Sequence, residues 1–392
     1  MLNVTKMLCG LDQPMDALRY GHGSGAPRSA RERKPVVVWN VSRTCNLRCL
    51  HCYSDSEARK YPGELTFRQG QELLEDLAQY GVPAVLLSGG EPLARADTLD
   101  LAWYARSLGL KVTLSTNGTL IDERMAKRIL NVGFAYVGIS VDGIGATHDF
   151  FRGVTGAFDR TVRGIRACKA VEQKVGLRLT LTEHSIADLD AIFDFIDSEN
   201  IERACFYHLV PSGRGREAST LDPASVRRAL DTIFRRTRDF AERGTPREIL
   251  TVDNHADAAY LYLHLLKESP DLATRAYDAL CWNGGGANSS GIGIADVDPQ
   301  GDVHPDQFLQ AVVLGNVKSR KFSAIWNDTT NPVLAALRAR AGRIEGRCAD
   351  CRFMPLCGGN FRARAFNTTG NLWASDPGCY LTKEEIAAPA IA

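Results

Sequence analysis

The sequence has almost no net charge and no long apolar stretch. Its 47 basic and 46 acidic side chains leave a formal charge of +1, so electrostatics gives no reason to expect nucleic acid or an anionic membrane as a partner. No apolar run approaches the roughly 18 residues that a membrane-spanning helix requires. The first 25 residues lack the continuous apolar core of a signal peptide. We therefore expect a cytoplasmic protein that binds neither nucleic acid nor membranes.

Cysteine, by contrast, is abundant, with 11 residues in the chain. Disulfides are not expected in a reducing compartment, where closely spaced cysteines favour metal or redox chemistry. Two groups are closely spaced, and four cysteines stand alone. The first group is Cys45, Cys49 and Cys52, the second is Cys348, Cys351, Cys357 and Cys379, and the isolated residues are Cys9, Cys168, Cys205 and Cys281.

The length of 392 residues predicts one large domain and a smaller one, because single hydrophobic cores stop growing below this size. From residue 36 onward, apolar strands alternate with amphipathic helices, which predicts an α/β fold with a parallel sheet covered on both faces. Functional residues of such sheets gather at the carboxyl ends of the strands. The predicted strands span residues 36–42, 84–89, 111–116, 136–143, 176–182 and 204–210.

The segments on either side of this α/β core, 36–220, differ from it in composition. Residues 1–35 form a polar N-terminal extension, expected to be a loosely held arm, with a lid or partner-binding role as the alternative. Residues 221–280 look like a polar helical connector. Residues 281–392 are rich in loops and cysteine, and a segment so poor in core-forming residues is expected to need a metal as a staple.

The first cysteine group places three thiols within "CNLRCLHC", residues 45–52. Thiolates select zinc or iron–sulfur clusters over hard metals. Structural metal sites are usually closed by four protein ligands, and a [4Fe–4S] cube normally takes four cysteines. Three local thiols therefore either leave one metal position open to an outside ligand or depend on a distant fourth cysteine. The spacing alone leaves both arrangements possible.

Four motifs in order strongly resemble those of the radical S-adenosylmethionine (SAM) superfamily. They are "CNLRCLHC", "SGGEP" (88–92), "STNG" (115–118) and "SVDG" (140–143). The resemblance implies a partial (β/α)6 barrel in which the three cysteines bind three irons of a [4Fe–4S] cluster and SAM chelates the fourth. It also implies that one electron, supplied by a donor such as flavodoxin or ferredoxin, cleaves SAM to methionine and a 5′-deoxyadenosyl radical, which abstracts hydrogen from the substrate.

The same resemblance implies which residues bind SAM. The glycines and the glutamate of "SGGEP" correspond to the positions that hold its ammonium group, and polar groups of the next two motifs suit its ribose and carboxylate. The implied contact residues are Gly89, Gly90, Glu91, Ser115, Asn117 and Ser140.

Two further residues near these motifs have alternative interpretations. Asp142 is either a ligand contact or an ordinary turn residue before Gly143. Arg152 is either a partner for the methionine carboxylate of SAM or, as is more common for arginine, a solvated side chain.

The second cysteine group resembles the SPASM/twitch extension, which carries auxiliary iron–sulfur clusters. That resemblance implies one auxiliary [4Fe–4S] cluster, with a zinc site as the alternative that the spacing alone allows. Asp306 and Phe361 stand where a full SPASM pattern has cysteines of a further cluster. Cys281 is then either a remaining ligand of that lost cluster or a small buried thiol, and Asp306 an unusual ligand or a proton-transfer group. The implied auxiliary ligands are Cys348, Cys351, Cys357 and Cys379.

Longer stretches, including "HLVPSGRGR", "LTVDNHADAAYLYLHL" and "GNLWASDPGCYLT", resemble the tetrapyrrole-modifying branch of this superfamily. Its NirJ-type members act in haem d1 biosynthesis, which implies removal of propionate side chains from 12,18-didecarboxysiroheme. Sibling enzymes of the siroheme-dependent haem route remove acetate-derived carboxyls instead. Other hypotheses are a SPASM peptide maturase and a non-enzymatic, metal-bearing scaffold or redox sensor.

A substrate with several carboxylates favours arginine, whose guanidinium binds carboxylate with two hydrogen bonds. Arg214 and Arg216 follow the sixth strand, and Arg362 and Arg364 lie beside the second cysteine group. The spacing of the latter two predicts that they lie on one side of a strand. His208 is a candidate to ligate or stack near the siroheme iron, with a hydrogen-bonded core histidine as the alternative.

Overall fold

A mixed β-sheet of 11 strands forms the centre of the protein in the computed structural model, which describes residues 1–12, 34–282 and 284–387. Seven consecutive strands, β2 to β8, lie side by side in chain order and are parallel. The strands are β1 (Leu2–Asn3), β2 (Val36–Ser42), β3 (Val85–Gly89), β4 (Val112–Thr116), β5 (Val137–Ser140), β6 (Val175–Leu181), β7 (Arg203–His208), β8 (Glu248–Val252), β9 (Ile294–Val297), β10 (Asp302–His304) and β11 (Gly315–Asn316).

The sheet stays open, since its edge strands β1 and β11 do not pair with each other. The prediction of a partial barrel of parallel strands is therefore confirmed, and all six predicted strands are present as β2 to β7. Their carboxyl ends share one edge, which is where parallel α/β sheets place functional groups. A seventh parallel strand, β8, was not predicted. It lies within the expected connector, where a five-residue segment, "EILTV", with only three apolar residues gives a weak strand signal.

Close packing between helix and strand fixes the first βα unit. The helix Phe67–Tyr80 begins with a capping box, in which Thr66 and Gln69 each accept from the backbone N–H of the other. Gly70 faces the fully buried Trp39 of β2, and a Cβ atom at residue 70 would lie 2.7 Å from the indole ring. Glycine at this position therefore sets how near the helix lies to the sheet.

The beginning of the chain is more firmly held than predicted. Strand β1 pairs antiparallel with β8, and the helix Val4–Cys9 that follows it buries Val4, Met7 and Leu8. Thr5 Oγ1 donates to Arg247 O and accepts from Ile249 N. The expectation of a loosely held arm is wrong for these residues, because their apolar side chains complete the core under β8. The rest of the expected arm, residues 13–33, lies outside the described residues.

The cysteine-rich region continues the same sheet. Strand β9 pairs parallel with β2, and β10 and β11 follow antiparallel. Asn40 Nδ2 of β2 donates to Asp296 Oδ1 of β9 at 2.9 Å, and both side chains are buried. The C-terminal region is thus joined to the α/β core by backbone ladders and a buried polar contact, which fixes the position of one relative to the other.

Helices cover the sheet, and the described part of the chain contains no helix that is both long and apolar enough to cross a lipid bilayer. The α-helices are Val4–Cys9, Phe67–Tyr80, Thr98–Ser107, Glu123–Val132, Ala146–Arg152, Ala157–Ala170, Glu183–Ala187, Leu189–Ser198, Pro223–Glu242, Ala256–Glu268, Pro270–Trp282, Phe322–Trp326, Pro332–Arg338, Met354–Cys357, Arg362–Thr369 and Lys383–Ala387. Short 3₁₀ turns occur at Pro92–Ala94, Gly213–Arg216, Gly285–Ala287 and Gly346–Cys348.

Candidate active site

The loop that carries the first three cysteines follows β2 and is held by backbone hydrogen bonds from several directions. Cys45 N donates to Glu57 O, Arg48 N to Arg152 O, and Leu50 N to Phe151 O. On the far side, Arg214 N donates to Cys52 O, and Arg214 Nε donates to Cys49 O at 3.0 Å. A loop without regular secondary structure is thereby fixed, as a ligand loop has to be.

The two glycines of "SGGEP" allow this loop to pack on the end of β3. Cβ atoms at residues 89 and 90 would lie 2.3 Å from Ser42 O and 2.5 Å from Thr44 O, respectively. Gly90 N donates to Ser42 O, and Glu91 N donates to Thr44 O. The close approach that requires glycine is therefore to the protein's own backbone, a reason that the motif alone did not reveal.

Glu91 is completely buried behind the motif and joins three segments. Its Oε1 accepts from Thr116 Oγ1 at 2.7 Å and from Leu93 N at 3.0 Å, and its Oε2 accepts from Asn117 N at 2.8 Å. Burial raises the pKa of this carboxyl, while these donors lower it in part. A carboxylate has about four acceptor positions, so one remains for a further donor.

Asn117 connects the end of β4 to the cysteine loop. Its Nδ2 donates to Asn46 Oδ1 at 2.9 Å and lies 4.0 Å from Cys45 Sγ. Its Oδ1 accepts from both the backbone N–H and the hydroxyl of Thr119. Asn117 therefore orients the loop as well as facing the cavity described below.

The three thiols of this loop are mutual electrostatic neighbours. Burial raises the pKa of Cys45 to about 12, and the nearby Cys49 and Cys52 add to the shift. Burial also raises the pKa of Cys49, which the guanidinium of Arg152 opposes. Buried thiols with raised pKa values lose their protons when a nearby positive charge stabilises the thiolates. A bound metal supplies such a charge.

Arg152 and Asp142 form a buried ion pair beside the cysteine loop. Arg152 also donates to Cys49 Sγ at 3.4 Å, and Asp142 Oδ1 accepts from Thr180 N of β6 at 2.7 Å. Burial alone would raise the pKa of Asp142, but the guanidinium of Arg152 holds it below its usual range. The interpretation of Arg152 as solvated is wrong, because helix Ala146–Arg152 ends against the cysteine loop and encloses the side chain.

A cavity of about 160 Å³ opens at the carboxyl edge of the sheet, beside the three cysteines. Glu91 lies outside its wall, whereas the other five implied SAM contacts line it. Arg178 and Tyr207, on β6 and β7, also line it and were missed in the sequence. The alternation of "LRLTL" was a usable signal, since it directs Arg178 and Thr180 to one face of the strand. The predicted residues in the wall are Cys45, Cys49, Cys52, Gly89, Gly90, Ser115, Asn117, Ser140, Asp142 and Arg152.

A second cavity, of about 480 Å³, lies between the α/β core and the C-terminal region. Both cavities have His208 and Leu209 in their walls, so the two are neighbours. Cys379 and Tyr380 line the far side, and Arg216 lies at the rim. Its volume falls within the usual range for small-molecule sites.

The four cysteines of the second group also come together. Burial raises the pKa of Cys357 well above its usual value, and Cys379, Cys348 and Cys351 are the neighbouring thiols that add to the shift. Cys348 and Cys357 are buried, and the other two are half-buried. Cys357 lies at the end of a short helix, Met354–Cys357. Cys379 lies in a tight turn, in which its backbone N–H donates to Asp376 O.

Comparison with known proteins supports the architecture in two parts. The model of the radical SAM superfamily matches residues 39–196, and that of the SPASM iron–sulfur cluster-binding domain matches residues 291–352. A Fe-coproporphyrin III synthase of Methanosarcina barkeri is 48% identical, over 98% of this chain and 99% of the relative. The chain belongs to the radical SAM superfamily. It is a radical SAM enzyme with a C-terminal SPASM domain, as its sequence motifs predicted.

Other members are similar over most of the same length. A pre-heme d1 synthase of Dinoroseobacter shibae is 46% identical, over 92% of this chain and 89% of the relative, which confirms the resemblance to enzymes of haem d1 biosynthesis. The crystal structure of Streptococcus suis SuiB bound to S-adenosylmethionine matches with a TM-score of 0.69 at 19% identity, over 89% of this chain and 78% of that one. This likeness concerns the fold of the radical SAM core and its extension.

The donor sets of both cysteine groups fit iron–sulfur clusters. Within residues 1–12, 34–282 and 284–387, no three Cys, His, Asp or Glu side chains are arranged to enclose a single metal ion. In a [4Fe–4S] cluster each thiolate binds a different iron, so the ligand sulfurs stand further apart than around one ion. The number of thiols, three at one site and four at the other, is compatible with the iron–sulfur clusters that the two matching family models imply.

Cys281, Asp306 and Phe361 are the residues at or near positions where a full SPASM pattern has further cysteines. Cys281 is half-buried near the end of helix Pro270–Trp282, and burial raises its pKa. Asp306 is completely buried, and its Oδ1 accepts from Phe308 N and Leu309 N. Phe361 is buried and makes an edge contact with Phe308. Apolar packing and a capped turn thus occupy the positions where a full SPASM pattern has cysteines.

Three of the four predicted substrate-binding arginines contact the protein itself. Arg214 Nη2 donates to Ser56 O, in addition to its bond with the cysteine loop. Arg362 and Arg364 do not lie on one side of a strand, because helix Arg362–Thr369 begins there. Residues two apart on a helix point in different directions. Arg362 Nη1 donates to Leu372 O, whereas Arg364 pairs with Asp376 at 3.0 Å.

His208 is a hydrogen-bonded core histidine. Its Nε2 lies 2.9 Å from Asp257 Oδ2, and its Nδ1 lies 3.4 Å from Asn254 Nδ2. Because both ring nitrogens are engaged, the structure favours a core histidine over a ligand of the substrate iron. The ring lines both cavities, so stacking on the substrate stays a prediction. Arg216, by contrast, is exposed at the rim of the second cavity, where its guanidinium is available to a ligand.

Proposed function

We propose that the protein removes carboxylate-bearing side chains from an iron tetrapyrrole, using SAM and two [4Fe–4S] clusters. Cys45, Cys49 and Cys52 hold the SAM-binding cluster. The auxiliary cluster is held by Cys348, Cys351, Cys357 and Cys379. The observation that carries the proposal is the placement of the second cavity, which adjoins the three-cysteine site on one side and reaches Cys379 on the other.

The chemistry that SAM and its cluster supply when bound is a 5′-deoxyadenosyl radical, formed by one-electron cleavage of the sulfonium group. The protein's own residues position SAM and keep water away. Gly89 and Gly90 hold the cysteine loop in place, Ser115 and Ser140 present hydroxyls to the first cavity, and Asn117 fixes the loop beside them. Glu91 lies behind the cavity wall, where its carboxylate holds Thr116 and Asn117 in place, so we assign it a supporting role in SAM binding.

The second cavity suits a tetrapyrrole in both shape and charge. Leu181, Leu209 and Pro211 give it an apolar wall for a macrocycle face, and Asn254 and Asn367 are among its polar groups. Arg216 at the rim is the free cation that a peripheral carboxylate requires. A substrate bound here lies within reach of a radical generated in the neighbouring cavity.

Two reactions on 12,18-didecarboxysiroheme fit this site. The resemblance to haem d1 enzymes favours removal of propionate side chains. The relative named Fe-coproporphyrin III synthase matches 98% of this chain and 99% of its own length, against 92% and 89% for the pre-heme d1 synthase. That mutual coverage favours the reaction on the acetate groups, in which each acetate leaves as a whole two-carbon unit and the propionates stay in place.

Mass analysis of the product separates the two reactions. Anaerobically reconstituted protein, reduced by flavodoxin or ferredoxin and supplied with SAM, is incubated with 12,18-didecarboxysiroheme. Loss of acetate-sized units identifies the acetate reaction, and loss of propionate-sized units identifies the haem d1 reaction. An unchanged tetrapyrrole, in protein that still cleaves SAM, would contradict the proposed substrate. In that case a peptide substrate becomes the hypothesis to test.

A further inference from the structure

Two arginines near the second cysteine group are buried without a carboxylate partner. Arg362 is 0% exposed and Arg340 is 6% exposed. In the described parts of the chain neither forms an ion pair, whereas the neighbouring Arg364 pairs with Asp376. A buried charge without a counter-charge costs several kcal/mol, so an arrangement with two of them needs a physical explanation.

Their hydrogen bonds satisfy the guanidinium groups only in part. Arg340 Nε donates to Leu337 O, and its Nη2 donates to Ser290 O. Arg362 Nη1 donates to Leu372 O and Ala374 O. Arg340 Nη1 and Arg362 Nε are buried, with no hydrogen-bond partner among the described residues. Backbone carbonyls accept hydrogen bonds but carry no net charge. The carboxylates of Asp306 and Asp376 oppose the cost of burying Arg340 and Arg362, respectively, but neither forms a direct ion pair with them.

The two nearby carboxylates, Asp376 and Asp306, form hydrogen bonds or ion pairs with other groups. Asp376 pairs with Arg364 and also accepts from the backbone N–H of Phe361 and Gly378. Asp306 caps its own turn through Phe308 N and Leu309 N. Burial and, to a smaller extent, the positive charge of Arg362 lower the pKa of Arg340 to about 10, while Cys357 and Asp306 oppose the shift. The two guanidinium groups therefore oppose each other in the protein as it stands.

A cluster at the auxiliary site would supply the negative charge that Arg340 and Arg362 lack as a direct partner. Arg362 Nη2 donates to Gly359 O, two residues after Cys357, and Arg362 also holds the segment that leads to Cys379. The thiols of Cys348 and Cys357 are electrostatic neighbours of Arg362, and Cys357 is also one of Arg340. A [4Fe–4S] cluster with four thiolate ligands is negatively charged when oxidised and gains a further negative charge when reduced.

We propose that Arg340 and Arg362 are the counter-charges of the auxiliary cluster and raise its reduction potential. The proposal rests on the proposed assignment of the four auxiliary ligands. Positive charge fixed near a cluster stabilises the reduced form more than the oxidised form, because the reduced form is more negative. These arginines thereby make the auxiliary cluster easier to reduce than the sulfur ligands alone would, and they favour its assembly in a buried position.

The test measures the potential of the auxiliary cluster by EPR-monitored redox titration. The full-length Cys49→Ala variant is used as the background, so that the SAM-binding cluster gives no signal. Arg340→Gln removes the charge, and Arg340→Lys retains it. Arg343→Gln, at an exposed arginine three residues on, is the matched control. We expect a lower midpoint potential in Arg340→Gln and values near that of the background in the other two.

Each other outcome also decides the question. Loss of the cluster in Arg340→Gln but not in Arg340→Lys supports the proposal, because the charge is then needed for assembly. An Arg340→Gln protein with full iron content and an unchanged potential would overturn it. So would equal loss of the cluster in both Arg340 variants, since the role is then structural. A Cys49→Ala protein without any cluster would overturn the auxiliary-site assignment and this proposal together.

Discussion

At the scale of single residues, the candidate site depends on buried polar groups that the sequence did not mark as such. Arg152 donates to Cys49 Sγ at 3.4 Å and pairs with Asp142. His148, one turn before Arg152 and 0% exposed, accepts from Asp142 N through Nδ1 at 3.2 Å. A solvated arginine and a turn aspartate were reasonable interpretations of "FFRG" and "SVDG", because only the packing of helix Ala146–Arg152 on the cysteine loop removes them from water.

The burial of His148 predicts a pH dependence of stability. Burial lowers the pKa of His148 to about 4, from about 6.5 in the unfolded chain. Its contribution is therefore complete above pH 6.5 and is lost as the pH falls from 6.5 to 4, by roughly 3 kcal/mol in all. In cluster-free protein, the free energy of unfolding measured with urea should fall less steeply over this range in His148→Gln, which keeps an acceptor, than in the wild type. Equal slopes would show that His148 does not titrate in this way.

At the scale of elements, the positions of the strands were predictable and the packing of the loops was not. The apolar runs of β2 to β7 indicated their own boundaries to within three residues or fewer, since buried parallel strands leave a strong sequence signal. The short β8 and the helix Arg362–Thr369 were missed, because both are brief and their environment comes from distant parts of the chain. The contact between β3 and the cysteine loop was also missed, because it joins segments that are distant in the chain.

That contact predicts the effect of Gly90→Ala. The new Cβ atom would lie 2.5 Å from Thr44 O and 2.7 Å from Arg43 O, so the backbone before Cys45 must move. We expect the SAM-binding cluster to be lost and the auxiliary cluster to be retained, which halves the iron content after anaerobic reconstitution. Gly176→Ala is the control, because its Cβ meets only the Arg203 side chain at 3.4 Å. Full iron content in Gly90→Ala would contradict this role of the glycine.

At the scale of the whole molecule, two cysteine groups more than 290 positions apart in the chain are held at one continuous sheet. The joint consists of β9 against β2, with Asn40 bonded to Asp296. Two cavities occupy the space between the groups. Two features therefore depend on the folded chain as a whole. They are the number of clusters that it holds and the location of its substrate.

The number of clusters is measured by iron analysis. Wild-type protein should hold about eight irons per chain as two [4Fe–4S] clusters, and Cys49→Ala and Cys357→Ala should each hold about half as many. Cys281→Ala should keep both clusters, as should the control Cys168→Ala, whose thiol is buried in the core. Loss of iron in Cys281→Ala would instead assign that thiol to a cluster.

The place of the substrate is measured by kinetics. Arg216→Gln removes the exposed cation at the rim of the second cavity. We expect KM for the tetrapyrrole to rise severalfold while kcat changes less, because a peripheral carboxylate contact contributes mainly to binding. Arg235→Gln, in an exposed pair with Asp190, should behave as wild type. Unchanged kinetics in Arg216→Gln would remove this arginine from the substrate site.

The sequence by itself determined the positions of six strands and the two groups of cysteines, because these depend on local periodicity and on spacing along the chain. Its motifs, through their resemblance to known enzymes, indicated the superfamily. Tertiary structure alone decided which charges are buried. Arg214, Arg362 and Arg364 resemble substrate-binding arginines in sequence, but they donate to backbone carbonyls of their own protein. The reason is physical, since the cost of burying a charge is set by the groups around it, and those groups come from segments distant in the chain.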